Sequence, residues 1–173
     1  MKVLRSRLQG FQEVRAGAAQ ALAAQEPLLA QLEQYQELLQ AADAEQPQVE
    51  VWRAITAAGE SVLAMQSGAE RLLNWDALHR QLASAYNTLG SALSDAGDQS
   101  DALIAFERAI TLQPDFAMWQ RNRAGTLIEL GRLDEARTAI DAARALEPDA
   151  PRLTDLEAEL AATLEGPTAD LTD

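Results

Sequence analysis

The chain predicts an all-α fold of stacked helix-turn-helix units, and three observations carry that reading. First, a small-residue pattern recurs after 34 residues: Gly97, Ala102, Ala109 and Pro114 are matched by Gly131, Ala136, Ala143 and Pro148, with Phe106 answered by Ile140 and Leu93 by Leu127. A fixed period of this size marks supersecondary units that stack because none can bury its apolar face alone. Second, Ala and Leu dominate while aromatics make up only 5%, and Ala and Leu lose little side-chain freedom in a helix. Third, no run of Val, Ile, Thr and aromatics bounded by turn residues stands out, so no sheet is expected.

The elements follow from apolar spacing and from breakers. In residues 3–22, Leu4, Leu8, Phe11, Ala18 and Leu22 fall three, four or seven apart, with Val3 and Val14 beside them, which is one helical stripe. Pro27 interrupts it and suits the first turn of a second helix over residues 27–42, whose wide apolar face is Leu28, Leu29, Leu32, Tyr35, Leu38, Leu39 and Ala42. Residues 43–48, with Pro47, form a connector. A third helix spans residues 49–65 with Trp52, Ile55, Val62 and Leu63 inward, and residues 66–68 close it. Residues 69–96 read either as one long helix or as two that break near Asn74, a residue suited to an N-cap.

The first clear unit pairs a helix over 83–96 with one over 99–112 about the turn at Gly97. The second pairs 117–130 with 133–146 about Gly131. Pro114 and Pro148 stop the second helix of each unit, and Asp115 and Asp149 are expected to cap the next helix. A last helix over 152–164 turns Leu153, Leu156, Leu160 and Leu164 to one side, and the polar ending is expected to fray. The organisation expected is a helical arm (1–48), a helical cap or divergent repeat (49–82), two repeats (83–116 and 117–150), a capping helix (151–165) and a tail (166–173).

Charge and composition remove several functions. The net charge is −13, yet residues 1–25 set Lys2, Arg5, Arg7 and Arg15 against Glu13 alone, so the acidity lies in the body. An acidic body repels phosphates and anionic lipid, so nucleic acid is excluded as a partner and membrane docking is not expected. Cysteine is absent, which removes disulfides and thiolate chemistry. No apolar run approaches the ~18 residues of a membrane span. The basic N-terminus leads into no continuous apolar stretch, so a secretory leader is not expected and the cytoplasm is the expected location.

His79 is the single histidine, which rules out a two-His metal motif. The glycines are isolated or at turns and form no phosphate loop. Neighbouring acids such as Glu157 and Glu159 sit ~200° apart on a helix and do not converge. An enzyme is not expected, nor a cofactor or a metal. Trp52, Trp75 and Trp119 read as core anchors.

Residues 83–148 resemble two tandem tetratricopeptide repeats. In the first, Tyr86, Leu89, Gly90, Leu93, Gly97, Ala102, Phe106, Ala109 and Pro114 stand in the family's signature order. The second departs from it, with Gln120 at an aromatic place beside Trp119, and with Arg123 and Ala124 for the usual Leu-Gly pair. The resemblance implies a short α-solenoid whose first helices line a concave groove for a peptide or helix of a partner protein. Carried onto this chain, the groove positions are Ser84, Asn87, Thr88, Ser91, Asp95, Met118, Arg121, Asn122, Gly125 and Glu129, with Arg152 on the C-terminal helix beyond them. The binding set expected is Asn87, Ser91, Asp95, Arg121, Asn122, Glu129 and Arg152, with Arg121 as cationic centre.

The carboxylate clamp of one chaperone-binding subgroup is not kept. Its places hold Asn87, Ser91, Asn122, Arg152 and Leu156, of which Asn122 alone matches in type. The function implied is a non-enzymatic protein-interaction adaptor. The alternative is a homo-oligomeric scaffold assembled through the N-terminal arm, but a heptad count puts Arg15, Gln25 and Gln36 in the seam, which opposes a long self-pairing coiled coil. Docking of the arm on the body or on a partner is favoured.

Overall fold

Both repeat turns are closed by the same hydrogen bonds around a glycine in the left-handed region. Gly97 has φ of 87° and Gly131 of 71°, values that a Cβ would strain. The N–H groups of Gly97 and Asp98 donate to the carbonyls of Ser94 and Leu93, and those of Gly131 and Arg132 to Ile128 and Leu127, all at 2.9 Å. This is the Schellman closure, which satisfies carbonyls left over at a helix end.

In the computed structural model, residues 26–41, 49–66 and 74–165 are described. They form seven helices, with no strand among the described residues: α1 (26–41), α2 (Val49–Leu63), α3 (Trp75–Asp95), α4 (Gln99–Leu112), α5 (Ala117–Glu129), α6 (Leu133–Leu146) and α7 (Pro151–Glu165). The expected helix over 3–22 and the tail over 166–173 lie outside the described residues.

Two expectations are corrected. The first helix of the first repeat does not begin near Ala83. It is the C-terminal part of α3, which starts at Trp75, and the Asn74 side chain caps it by accepting from the Ala77 N–H at 3.0 Å. Nothing between Trp75 and Ser94 breaks a helix apart from the tolerated Gly90, so the cap sets the start. The aspartates after the prolines do not cap either: Phe116 is the N-cap of α5, without a side-chain bond, and the Ala150 carbonyl accepts the Leu153 N–H at the start of α7.

Packing is consecutive, α3 on α4, α4 on α5, α5 on α6 and α7 on both α5 and α6, as a repeat stack requires. Within the first hairpin the helices meet at Gly90, where a Cβ would lie 2.6 Å from Cε1 of the Phe106 ring. In the second hairpin the same places hold Ala124 and Ile140, both buried. The smaller partner leaves room for the methyl group, which accounts for the departure at Ala124. Arg123, the departure beside it, lies on α5 between α4 and α6 and reaches Glu107 at 3.3 Å and Glu135 at 3.9 Å.

Ahead of the repeats, α1 folds back. Leu28 and Tyr35 are buried with Ile55, Ala58 and Val62 of α2 and Trp75 and Leu78 of α3. Gly59 allows the approach, since a Cβ there would meet Leu82 at 2.6 Å and the Tyr35 ring at 3.2 Å. Trp119 is buried against Ala83 and Ala109, while Trp52 is half-buried between two core clusters.

Long side chains tie α2 to α4. The Arg108 guanidinium donates two bonds to Glu60, at 2.7 and 2.8 Å, and the Tyr86 hydroxyl donates a third at 3.0 Å. Arg53 reaches Asp101 at 2.8 Å. The fork from Arg108 holds the Glu60 carboxyl below its ordinary range, outweighing the opposite pull of burial. Burial, with the Glu60 charge behind it, pushes the Tyr86 phenol up to about 12.

Candidate functional site

The groove side of the stack is read from the helix faces. On α3, residues Ser84, Asn87, Thr88, Ser91 and Asp95 recur at three- and four-residue steps, so they share one face. Helix α5 supplies Asn122, Gly125 and Glu129 at the same steps, and α7 supplies Arg152 from its first turn. Leu127 and Leu93 point the other way, into the core, because an amphipathic helix can offer a groove only the face its core does not take.

Part of this face forms a cleft of about 210 Å³ lined by Ser91, Ser94, Asp95, Phe106, Asn122, Gly125, Thr126, Glu129 and Arg152. Five of the seven residues expected from the sequence thus converge: Ser91, Asp95, Asn122, Glu129 and Arg152. Asn87 adjoins them, its Oδ1 accepting from Asn122 Nδ2 at 2.6 Å. That bond links the two repeats and aligns both amides.

Arg121 behaves otherwise. Its guanidinium is bound to Glu147 at 2.5 Å, its side chain is 17% exposed, and it does not line the cleft. Arg121, expected as the cationic centre of the groove, is thus placed beside Glu147 and outside the cleft lining. It sits one residue before the cleft-lining Asn122 and turns to the α6–α7 connection, where Glu147 succeeds the last residue of α6. The groove cation without an ion-pair partner among the described residues is Arg152.

The hydroxyls are directed by their own helices. Ser91 donates to the Asn87 carbonyl and Thr126 to that of Asn122, both at 3.2 Å, so each keeps lone pairs to offer a ligand. Asp95 and Glu129 are exposed and carry no ion pair among the described residues. The cleft therefore offers two carboxylates, one guanidinium and a floor of amides and hydroxyls. Ser94 and Thr126 were not foreseen. They stand three and four residues from Ser91 and Asn122, a spacing that could have found them.

Residues 87–151 match the family profile of the tetratricopeptide repeat. Over this segment the chain is similar to the tetratricopeptide repeat family. Over 63 residues the chain is 33% identical to the protein FlbA of Caulobacter vibrioides, a match covering 36% of this chain and 11% of that protein. Among solved structures, an O-GlcNAc transferase mutant from Thermobaculum terrenum superposes with a TM-score of 0.49 at 23% identity, over 75% of this chain and 22% of that one. MamA superposes with a TM-score of 0.43 at 18% identity, over 76% of this chain and 82% of that one. At these scores neither structure bears on what the chain does.

Tetratricopeptide repeats are in general a protein-interaction module. No helix among the described residues is long and apolar enough to cross a membrane.

Proposed function

We propose that the chain is a cytoplasmic, non-enzymatic adaptor that holds a segment of a partner protein in the concave groove formed by α3, α5 and α7. The observation that carries the reading is the convergence of Ser91, Asp95, Asn122, Glu129 and Arg152 in one cleft. A set of separated donors and acceptors along a groove suits the backbone and side chains of a polypeptide. Arg152 offers a partner carboxylate or carbonyl a planar fork of donors, while Asp95 and Glu129 favour a basic side chain.

The test is a partner captured by the full chain and then titrated by calorimetry against variants. Arg152→Ala should weaken binding by about ten- to a hundredfold, the ~1.5–3 kcal/mol of a hydrogen bond to a charged group. Arg137→Ala, on the exposed side of α6, should cost under ~0.5 kcal/mol. Arg121→Ala is the poorer probe, because it also frees Glu147. Equal and negligible effects at Arg152 and Arg137 would move the binding site off the concave face.

A further inference from the structure

Helix α3 has 21 residues where α5, its counterpart one repeat later, has 13. The surplus lies at the N-terminal end. It carries the groove-side stripe beyond the start of α5, since Ala77 and Gln81 continue the steps of Ser84, Thr88, Ser91 and Asp95. Helix α1 lies beside this extension. Between the two opens a pocket of about 180 Å³ lined by Leu32, Tyr35, Leu39, Ala77 and Leu78, together with the amides of Gln36, Gln81 and Asn74. The stripe thus begins at an apolar pocket and ends at the carboxylates of Asp95 and Glu129.

We propose that the α1–α3 pocket seats one apolar side chain of the partner segment while a Lys or Arg further along that segment meets Asp95 and Glu129, so that the segment lies in the groove in one direction. This rests on the groove being the binding site. A few side chains seated in desolvated pockets carry most of the energy at such contacts, and two carboxylates without ion pairs among the described residues complement a cation. The two ends are eighteen residues apart on α3, about 27 Å at 1.5 Å per residue.

The floor between the ends decides the conformation of the occupant. It is made of Ser84, Thr88 and Ser91, with Asn87 and Asn122 at its side. A helix satisfies its own backbone and docks through a continuous apolar seam, whereas Met118 is the one large apolar side chain among the groove positions. An extended chain leaves its N–H and C=O groups free for hydroxyls and amides. The segment is therefore extended, and at about 3.3 Å per residue it places its anchor and its basic residue about eight positions apart.

A displayed library of random peptides, selected on the full chain, reads this out. The expected peptides carry Leu, Met or Phe about eight residues from an Arg or Lys. Ala77→Phe, which fills the pocket, should weaken them at least tenfold and leave the same peptides with alanine for the anchor unaffected. Gln81→Trp blocks the pocket from an exposed position and should do the same, which guards against a folding defect in the first variant. Peptides lost with the pair Asp95→Arg and Glu129→Arg but indifferent to both pocket variants overturn the anchor and leave the groove. Peptides with a helical three-four apolar pattern overturn the extended pose. Peptides indifferent to every variant, or an empty selection, overturn the groove reading itself.

Discussion

Exchanging the contact between Gly90 and Phe106 for its counterpart in the next repeat tests the packing logic of the stack. Gly90→Ala would bring a Cβ to 2.6, 2.8 and 2.9 Å from three carbons of the Phe106 ring, all inside contact distance. That ring is 2% exposed and packed with Leu89, Leu93, Ala102 and Ala105, so displacing it disturbs that cluster. Overpacking of this kind costs about 1–3 kcal/mol. Replacing a helical glycine by alanine contributes about 0.8–1 kcal/mol in the other direction. The net expectation is a loss of up to ~2 kcal/mol.

Phe106→Ile alone should also destabilise, by less than the ~3–5 kcal/mol of a Phe→Ala change. The double variant installs the Ala–Ile pair of the second hairpin and should recover a coupling of about 0.5–3 kcal/mol. Urea denaturation of the four proteins measures it. Additivity within ~0.5 kcal/mol, or a Gly90→Ala variant more stable than its parent, would refute the argument.

Two further outcomes concern the buried Tyr35 hydroxyl and the half-buried Glu60 carboxylate. The Tyr35 hydroxyl is buried with no hydrogen-bond partner among the described residues, so Tyr35→Phe should stabilise the chain by about 1 kcal/mol in a denaturant melt; a loss would mean the hydroxyl is satisfied. Glu60 has its folded-state pKa lowered below 4.5, first by Arg108, so its contribution is present above the ordinary carboxylate value and lost as pH falls through the folded one. The melting difference between the parent and Glu60→Gln should therefore be largest near neutrality and close on the acid limb, and a difference unchanged through that limb would count against the pairing.

The repeat itself was legible in the sequence because its determinants are local. Gly97 and Gly131 close turns that only glycine enters without strain, Pro114 and Pro148 cannot continue a helix, and these alone set the ends of α4 and α6. The stripe that lines the cleft was legible for the same reason, since helical spacing places Ser91 with Asp95 on one face of α3 and Asn122 with Glu129 on one face of α5.

What the tertiary structure decided is everything that depends on neighbours far away in sequence. Arg121 has a groove position by spacing, and only the approach of Glu147, 26 residues on, turns it from a free cation into half of an ion pair. Arg123 and Ala124 read as blemishes in a signature until Glu107, Glu135 and Ile140 come beside them. The return of α1 onto α2 and α3, and with it the apolar pocket beside Ala77, depends on Gly59 and Tyr35 meeting across a connector. Periodicity is a property of one helix and can be read along the chain, whereas charge pairing and close packing belong to pairs of helices and exist only once the chain has folded.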